Sequence, residues 1–360
     1  MPAPPPHSIS LTRTIHPVGQ GAFYSELFSD ERYSEPLLTA VYDCGGYDTQ
    51  LKQQIDTIQQ LGIVFISHFH NDHIKGLQYL LEKNPYAYVI LPAVSHYRFV
   101  VDLIYNYLHT GSISSASIMF MLSVVPYLSE KATTNGSLQI GRVAKNGLKT
   151  AKRIITVPSG GHFCVYTSFH WIYDAFYNEE NISKEKELIK SLSDIIPSLK
   201  AVSLDNDDYR DPSWYRNFLL PELSAVASRQ IEITRIFADI FGDSHNSYSM
   251  VVHSHSEKNV VKNSDCLFTG DTESSATHEA LFRKILPHPH YIQVPHHGSD
   301  KNHNPNYYFR RQIAFMSVGY NNGLHHPGGK TVMDLTKICP YIHITTEYLK
   351  TKFKKKIIVQ

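Results

Sequence analysis

The chain has 360 residues, 42% of them apolar, and a formal net charge of +1 with histidine neutral. That length and apolar content allow one large α/β domain with an insertion, or two modest domains, with a full hydrophobic core in either case. The balanced charge excludes a global field that would draw the molecule onto nucleic acid or an anionic membrane, so any nucleic-acid contact has to be local.

The opening MPAPPPHSISLTRT carries prolines where a signal peptide would carry an apolar run, and the expected compartment is the cytoplasm. TIHPVGQGAFYSELF and LLTAVYDCGG read as extended runs ending at the glycine turn Gly45 and Gly46. Leu51, Ile55, Ile58 and Leu61 recur at helical spacing, and GIVFIS is a short apolar run of the buried-strand type. It leads straight into HFHNDH. A helix over IKGLQYLLEK and a strand at AYVILP follow, the alternation that a layered α/β fold requires.

Residues 97–240 read as a largely helical insertion or cap within a single domain spanning 1–360. The apolar stretch from Ile113 to Leu128 is short and broken by serines and Pro126, which fits a buried helix and not a membrane span. Strand patterns return at YSMVVHSH, DCLFTGD, YIQVPHHGS and IAFMSVGYNN, with helices at TESSATHEALFRKIL and GGKTVMDLTKI between and after them. The expected architecture is two sandwiched half-sheets with outer helices. Cys44, Cys164, Cys266 and Cys339 lie far apart and are expected as reduced thiols.

The chemistry gathers at strand ends. His68 and His70 are two apart and share one side of an extended stretch, with Asp72 and His73 following on the turn into a helix. Imidazole nitrogen and carboxylate oxygen suit a cation such as Zn²⁺. One segment cannot close two metal sites, and other strand ends offer Asp271 in LFTGD, His296 and His297 in VPHHGS, and His325 and His326 in LHHPGG. A carboxylate such as Asp271 can bridge two cations. The plainer readings are a turn aspartate, surface histidines, and a capping or packing histidine respectively.

HFHNDHIKG, preceded by VGQG and YDCG, resembles the HxHxDH signature of the metallo-β-lactamase superfamily, whose fold is an αββα sandwich. HNSYSMVV, LFTGD, VPHHGS and SVGYNNGLHHPGG, in that order, resemble more narrowly the ComEC-like branch, the group that includes the hydrolase domain of the competence DNA-uptake protein. The resemblance covers residues 15–95 and 244–340. It implies metal ligands at His68, His70, Asp72, His73, Asp271 and His297, with His296 and His326 facing substrate or the outer shell of the metals. The superfamily's separate third histidine has no counterpart. In this branch the Asn and Ser of a strand such as Asn246 to Ser249 occupy that stretch, and His162 and His245 are the candidate replacements, each also readable as structural.

The resemblance implies two divalent cations, with Zn²⁺ expected and Mn²⁺ the alternative. Such a pair lowers the pKa of a bridging water from about 15.7 to roughly 7. Asp72, as ligand and orienter of the attacking hydroxide, and His296 or His326, as proton donor to the leaving oxygen, are the catalytic candidates. The implied activity is metal-dependent hydrolysis, with DNA or RNA phosphodiesters as the leading substrate and a small ester or nucleotide as the alternative. Lys350, Lys352, Lys354, Lys355 and Lys356 could contact phosphates, or form a solvated tail. A competing expectation is a partner-gated subunit of a multi-protein system, a defence system for instance, docking through the helical insertion. The ComEC protein's membrane-spanning segments have no counterpart, which argues against transport.

Overall fold

The structure is a computed structural model describing residues 8–110, 115–125, 137–140, 153–166, 170–178, 182–203, 211–241, 248–256, 262–274, 276–285 and 289–359. Its strands, in chain order, are β1 (Ile9–Ile15), β2 (Tyr24–Asp30), β3 (Leu38–Tyr42), β4 (Leu61–Phe65), β5 (Tyr88–Pro92), β6 (Ser137–Ile140), β7 (Arg153–Val157), β8 (Gly161–Tyr166), β9 (His170–Phe176), β10 (Val251–Ser256), β11 (Cys266–Phe268), β12 (Tyr291–Gln293), β13 (Ile313–Ser317), β14 (Tyr341–Thr345) and β15 (Phe353–Ile358). They form two mixed sheets, ordered β15-β1-β2-β3-β4-β5-β7 and β14-β13-β12-β11-β10-β9-β8-β6.

Period-two alternation assigns each strand's two faces to different cores. Ala40 and Tyr42 of β3, Ile63 and Phe65 of β4, Trp171 and Tyr173 of β9, and Cys266 and Phe268 of β11 fill the layer between the sheets. Their neighbours Val41, Val64, Val89 and Leu91 face outward from the first sheet, against helices carrying Leu77, Phe99, Leu103, Leu188 and Phe237. On the outside of the second sheet, Val251, Leu267, Ile292, Ala314 and Met316 pack with Phe282 and Leu335. The result is a helix–sheet–sheet–helix stack, as expected of two half-sheets with outer helices. Parallel β3-β4-β5 and β11-β12-β13 are covered on both faces, which is why GIVFIS and IAFMSVG read as continuous apolar runs.

Residues 97–240, expected as a largely helical insertion, also carry strands: helices fill His96–Thr110, Ser115–Val124, Ile182–Leu192 and much of 212–241, and β6, β7, β8 and β9 lie between them. β7 extends the first sheet beside β5, and β8 and β9 extend the second beside β10. The alternation in HFCVY and HWIYDAF is a strand signal that the flanking helical patterns obscure. The lysine-rich end is also no solvated tail. Lys354, Lys355 and Lys356 sit in β15, paired antiparallel to β1, where exposed lysines guard an open sheet edge.

The four cysteines are free, with Cys44, Cys266 and Cys339 buried. Ser117, Phe120, Met121 and Val124 of the serine-broken apolar stretch are buried in a helix, and no helix among the described residues is long and apolar enough to cross a membrane.

Candidate metal centre

β4 delivers the chain to Ser67, and residues 68–73 then cross the carboxyl end of the parallel strands, the usual place for a site in such sheets. His70 is extended, and Asn71–Ile74 forms one helical turn carrying Asp72 and His73. The YDCGG turn holds that piece by its backbone: Cys44 N–H donates to the His73 carbonyl at 2.7 Å, and Gly76 N–H to the Cys44 carbonyl at 2.8 Å. Gly45 has to be glycine, because a Cβ there would run into the Asp72 carbonyl. In the second sheet Asp271 follows β11 through Gly270, whose φ of 55° suits glycine. After β12, His296 and His297 are both left-handed, with φ of 48° and 54°. That is uncommon for non-glycine residues and aims both rings across the cleft toward the first sheet's loop.

Two groups of donors result. Asp72, His73, Asp271 and His297 each offer an atom within 4.8 Å of the others, as do His68, His70 and Asp271. Asp271 belongs to both, the position of a bridging carboxylate. Its oxygens lie 3.2 Å from His73 Nε2, 3.8 Å from His68 Nε2 and 3.6 Å from His296 Nε2, while Asp72 lies 3.3 Å from His297 Nε2. The Nε2 atoms of His68 and His73 and one oxygen of Asp271 are buried without a hydrogen bond. Close but unbonded, these atoms point at common centres between them and not at one another.

The far side of each ring is fixed. His73 Nδ1 donates to Asp43 at 2.8 Å, and His68 Nδ1 meets the Ser67 hydroxyl at 2.9 Å, which in turn donates to Asp43 at 2.8 Å. His297 Nδ1 donates to the Ser317 carbonyl at 2.8 Å. Each contact leaves Nε2 as the lone-pair nitrogen facing inward, the arrangement that orients metal-binding imidazoles. Burial opposes the charge on Asp72 and Asp271, yet both are held below the usual carboxylate range, Asp271 by His296 and His73, Asp72 by His73 and His297. Burial would likewise lower His73, but Asp271, Asp43 and Asp72 outweigh it and raise it. His68 goes down, by burial and then by His73. Buried ionised carboxylates need compensating positive charge. Orphaned nitrogens, ionised oxygens and an N/O donor set together fit divalent cations.

All the expected ligands therefore meet in one basin. His296 reaches it too, and the His326 ring lies 5.7 Å from His296 and 6.4 Å from His297. His325 has a left-handed φ of 56° and is absent from both donor groups. His162 is not at the site; it pairs with Asp174 on the outer face of the second sheet. His245 and Asn246 lie outside the described residues. Ser249 is present: its hydroxyl accepts from Asp271 N–H at 3.0 Å and lies 3.4 Å from His68 Nδ1.

Sequence reasoning missed the supports. Asp43 is fully buried and serves two of the candidate ligands at once. The helix His96–Thr110 also reaches the site along one face: Tyr105 stacks on His70 at 4.3 Å, and Asn106 donates to the Phe69 carbonyl and accepts from Asn71 N–H, both at 2.8 Å. One and two turns back on the same face, Asp102 and Arg98 hold Tyr248, whose ring lies 6.3 Å from His68. Polar Arg98, Asp102 and Asn106 at intervals of four within an apolar helix were the available signal.

Residues 38–167 match the family model described as Metallo-beta-lactamase superfamily. Among solved structures it is similar to the metallo-beta-lactamase fold protein YhfI from Bacillus subtilis, at 9% identity and a TM-score of 0.42, over 97% of this chain and 100% of that one. It is also similar to the metallo-beta-lactamase SMB-1 bound to 2-mercaptoethanesulfonate, at 11% identity and a TM-score of 0.23, over 63% of this chain and 96% of that one. Neither likeness is close enough to bear on chemistry. No curated protein is significantly similar in sequence.

Proposed function

We propose that this protein is a metal-dependent hydrolase of phosphodiesters, with DNA or RNA as substrate. The observation that carries hydrolysis is the pair of donor groups sharing Asp271. The order of the second-half motifs, LFTGD, VPHHGS and LHHPGG, favours phosphodiesters over other esters. Held by His68, His70, Asp72, His73, Asp271 and His297, two divalent cations, Zn²⁺ or Mn²⁺, would supply a hydroxide at neutral pH and Lewis-acid stabilisation of the developing charge.

The protein's own residues do the rest. Asp72, partly exposed beside His297, orients the nucleophile. His326 is lowered to about 4 by burial and then by His296 and His297, so it enters the reaction neutral and orients substrate. His296, 3.6 Å from Asp271 with 23% of its side chain exposed, is left as the proton donor to the leaving oxygen.

The test is incubation of the purified chain with single- and double-stranded DNA, RNA and bis-p-nitrophenyl phosphate, with Mn²⁺ or Zn²⁺ supplied. Metal-dependent cleavage is expected, and Asp72→Ala should abolish it while leaving the circular dichroism spectrum unchanged. Hydrolysis of a carboxylic ester by protein that binds two metals but leaves every phosphodiester intact would overturn the substrate assignment.

A further inference from the structure

A second set of ligand-type side chains lies on the outer face of the second sheet. On β10, Val252 and Ser254 turn inward, the hydroxyl of Ser254 bonding Trp171 and Glu26 in the inter-sheet layer. His253 and His255 therefore turn outward together. Asp174 of β9 is directly opposite His253 in the antiparallel register and points the same way. The cluster is well away from the first centre: Ser249 touches Asp271, and His253 is four residues further on, about 13 Å along an extended chain.

We propose that Asp174, His253 and His255 form a separate, mononuclear divalent-cation site suited to Zn²⁺. One donor atom of each lies within 4.8 Å of the other two. Two further observations point to a ligand. His253 is 5% exposed, and its Nε2 is buried without a hydrogen bond. His255 Nδ1 meets the Ser256 carbonyl at 3.0 Å, which requires the proton on Nδ1; in the neutral ring Nε2 then turns a lone pair toward the Asp174 carboxylate 2.9 Å away. Two electron-rich atoms at that distance need a cation or a second proton between them. Backbone-anchored Nδ1 with inward Nε2 is the same device that orients His297 in the first centre.

Asp174 is anchored from its other side, its remaining oxygen lying 2.6 Å from His162 Nδ1. Cys164 Sγ sits 3.0 Å from His162 Nε2 and extends the row of soft and borderline donors. Two histidines and one carboxylate, with Asp174 about a quarter exposed, leave a coordination position open to solvent.

Elemental analysis after Zn²⁺ loading and exhaustive dialysis tests this. The wild-type chain should retain one more equivalent than His253→Ala/His255→Ala, and Asp174→Asn, which keeps the size of the side chain and one acceptor oxygen but removes its charge, should lose the same equivalent without unfolding. Asp271→Ala should disturb the first centre and spare this one. If the first centre takes no metal, wild type holds one equivalent that still disappears in Asp174→Asn, so the two readings fail separately. Unchanged zinc content in both the His and the Asp174 variants would overturn the proposal and leave an imidazolium–carboxylate pair.

Discussion

Asp43 touches no substrate-facing atom, yet one of its oxygens receives His73 Nδ1 and the Ser67 hydroxyl that holds His68. Asp43→Asn replaces one of those acceptors with a donor and frees both rings. Supporting carboxylates of this kind set metal affinity by about 10- to 100-fold, so a loss of that order is expected in competition with a chelating dye. Unchanged affinity would remove Asp43 from the account. His16 illustrates a different residue-scale effect. Its Nδ1 donates to Gln54 and its Nε2 accepts from Ser25, so the fold holds it neutral; burial, then Lys352, lower it from 6.5 to about 3. Between those values the unfolded chain binds a proton that the folded chain refuses. Stability from this group is whole above pH 6.5 and is lost as pH falls toward 3, by up to about 1.4 kcal/mol per pH unit. His16→Phe should flatten the fall of the urea midpoint between pH 6 and 4; an identical slope would contradict the assignment.

At the scale of elements, the helix His96–Thr110 is the support of the first ligand loop. Asn106 satisfies a buried carbonyl at Phe69 and an N–H at Asn71, on either side of His70. Asn106→Ala leaves both unpaired, each costing about 1–3 kcal/mol, so a clear drop in denaturation midpoint and weaker metal binding are expected together. Loss of stability with unaltered metal affinity would make the helix a lid packed on the site, with no hold on its geometry. The spacing of Arg98, Asp102 and Asn106 marked a polar stripe on this helix, but what the stripe touches was not legible in the sequence, because its contacts join residues more than thirty positions apart. The HFHNDH cluster was legible because its donors are local, at the end of an apolar run. Asp271 and His297 were legible from strand ends alone. β7, β8 and β9 were missed for the opposite reason: short strands between helices carry a weak period-two signal, and it is pairing of β7 with β5, of β9 with β10 and of β8 with β9 that fixes them.

For the molecule as a whole, the two sheets bring the donors together. The first sheet's loop supplies His68, His70, Asp72 and His73, and the second sheet's strand ends supply Asp271 and His297, so neither half completes a centre alone. Four donors in one group against three in the other also predict unequal binding, the His68, His70 and Asp271 group releasing its metal first on dialysis. The central claim is that Asp271 joins two cations, and electron paramagnetic resonance of the Mn²⁺-loaded chain tests it most directly. Two ions bridged by a carboxylate sit about 3.5–4 Å apart and couple magnetically. A spin-coupled pair signal is expected in wild type, collapsing to isolated Mn²⁺ or vanishing in Asp271→Ala; isolated-ion spectra alone at saturating Mn²⁺ in the wild-type chain would contradict a bridging Asp271.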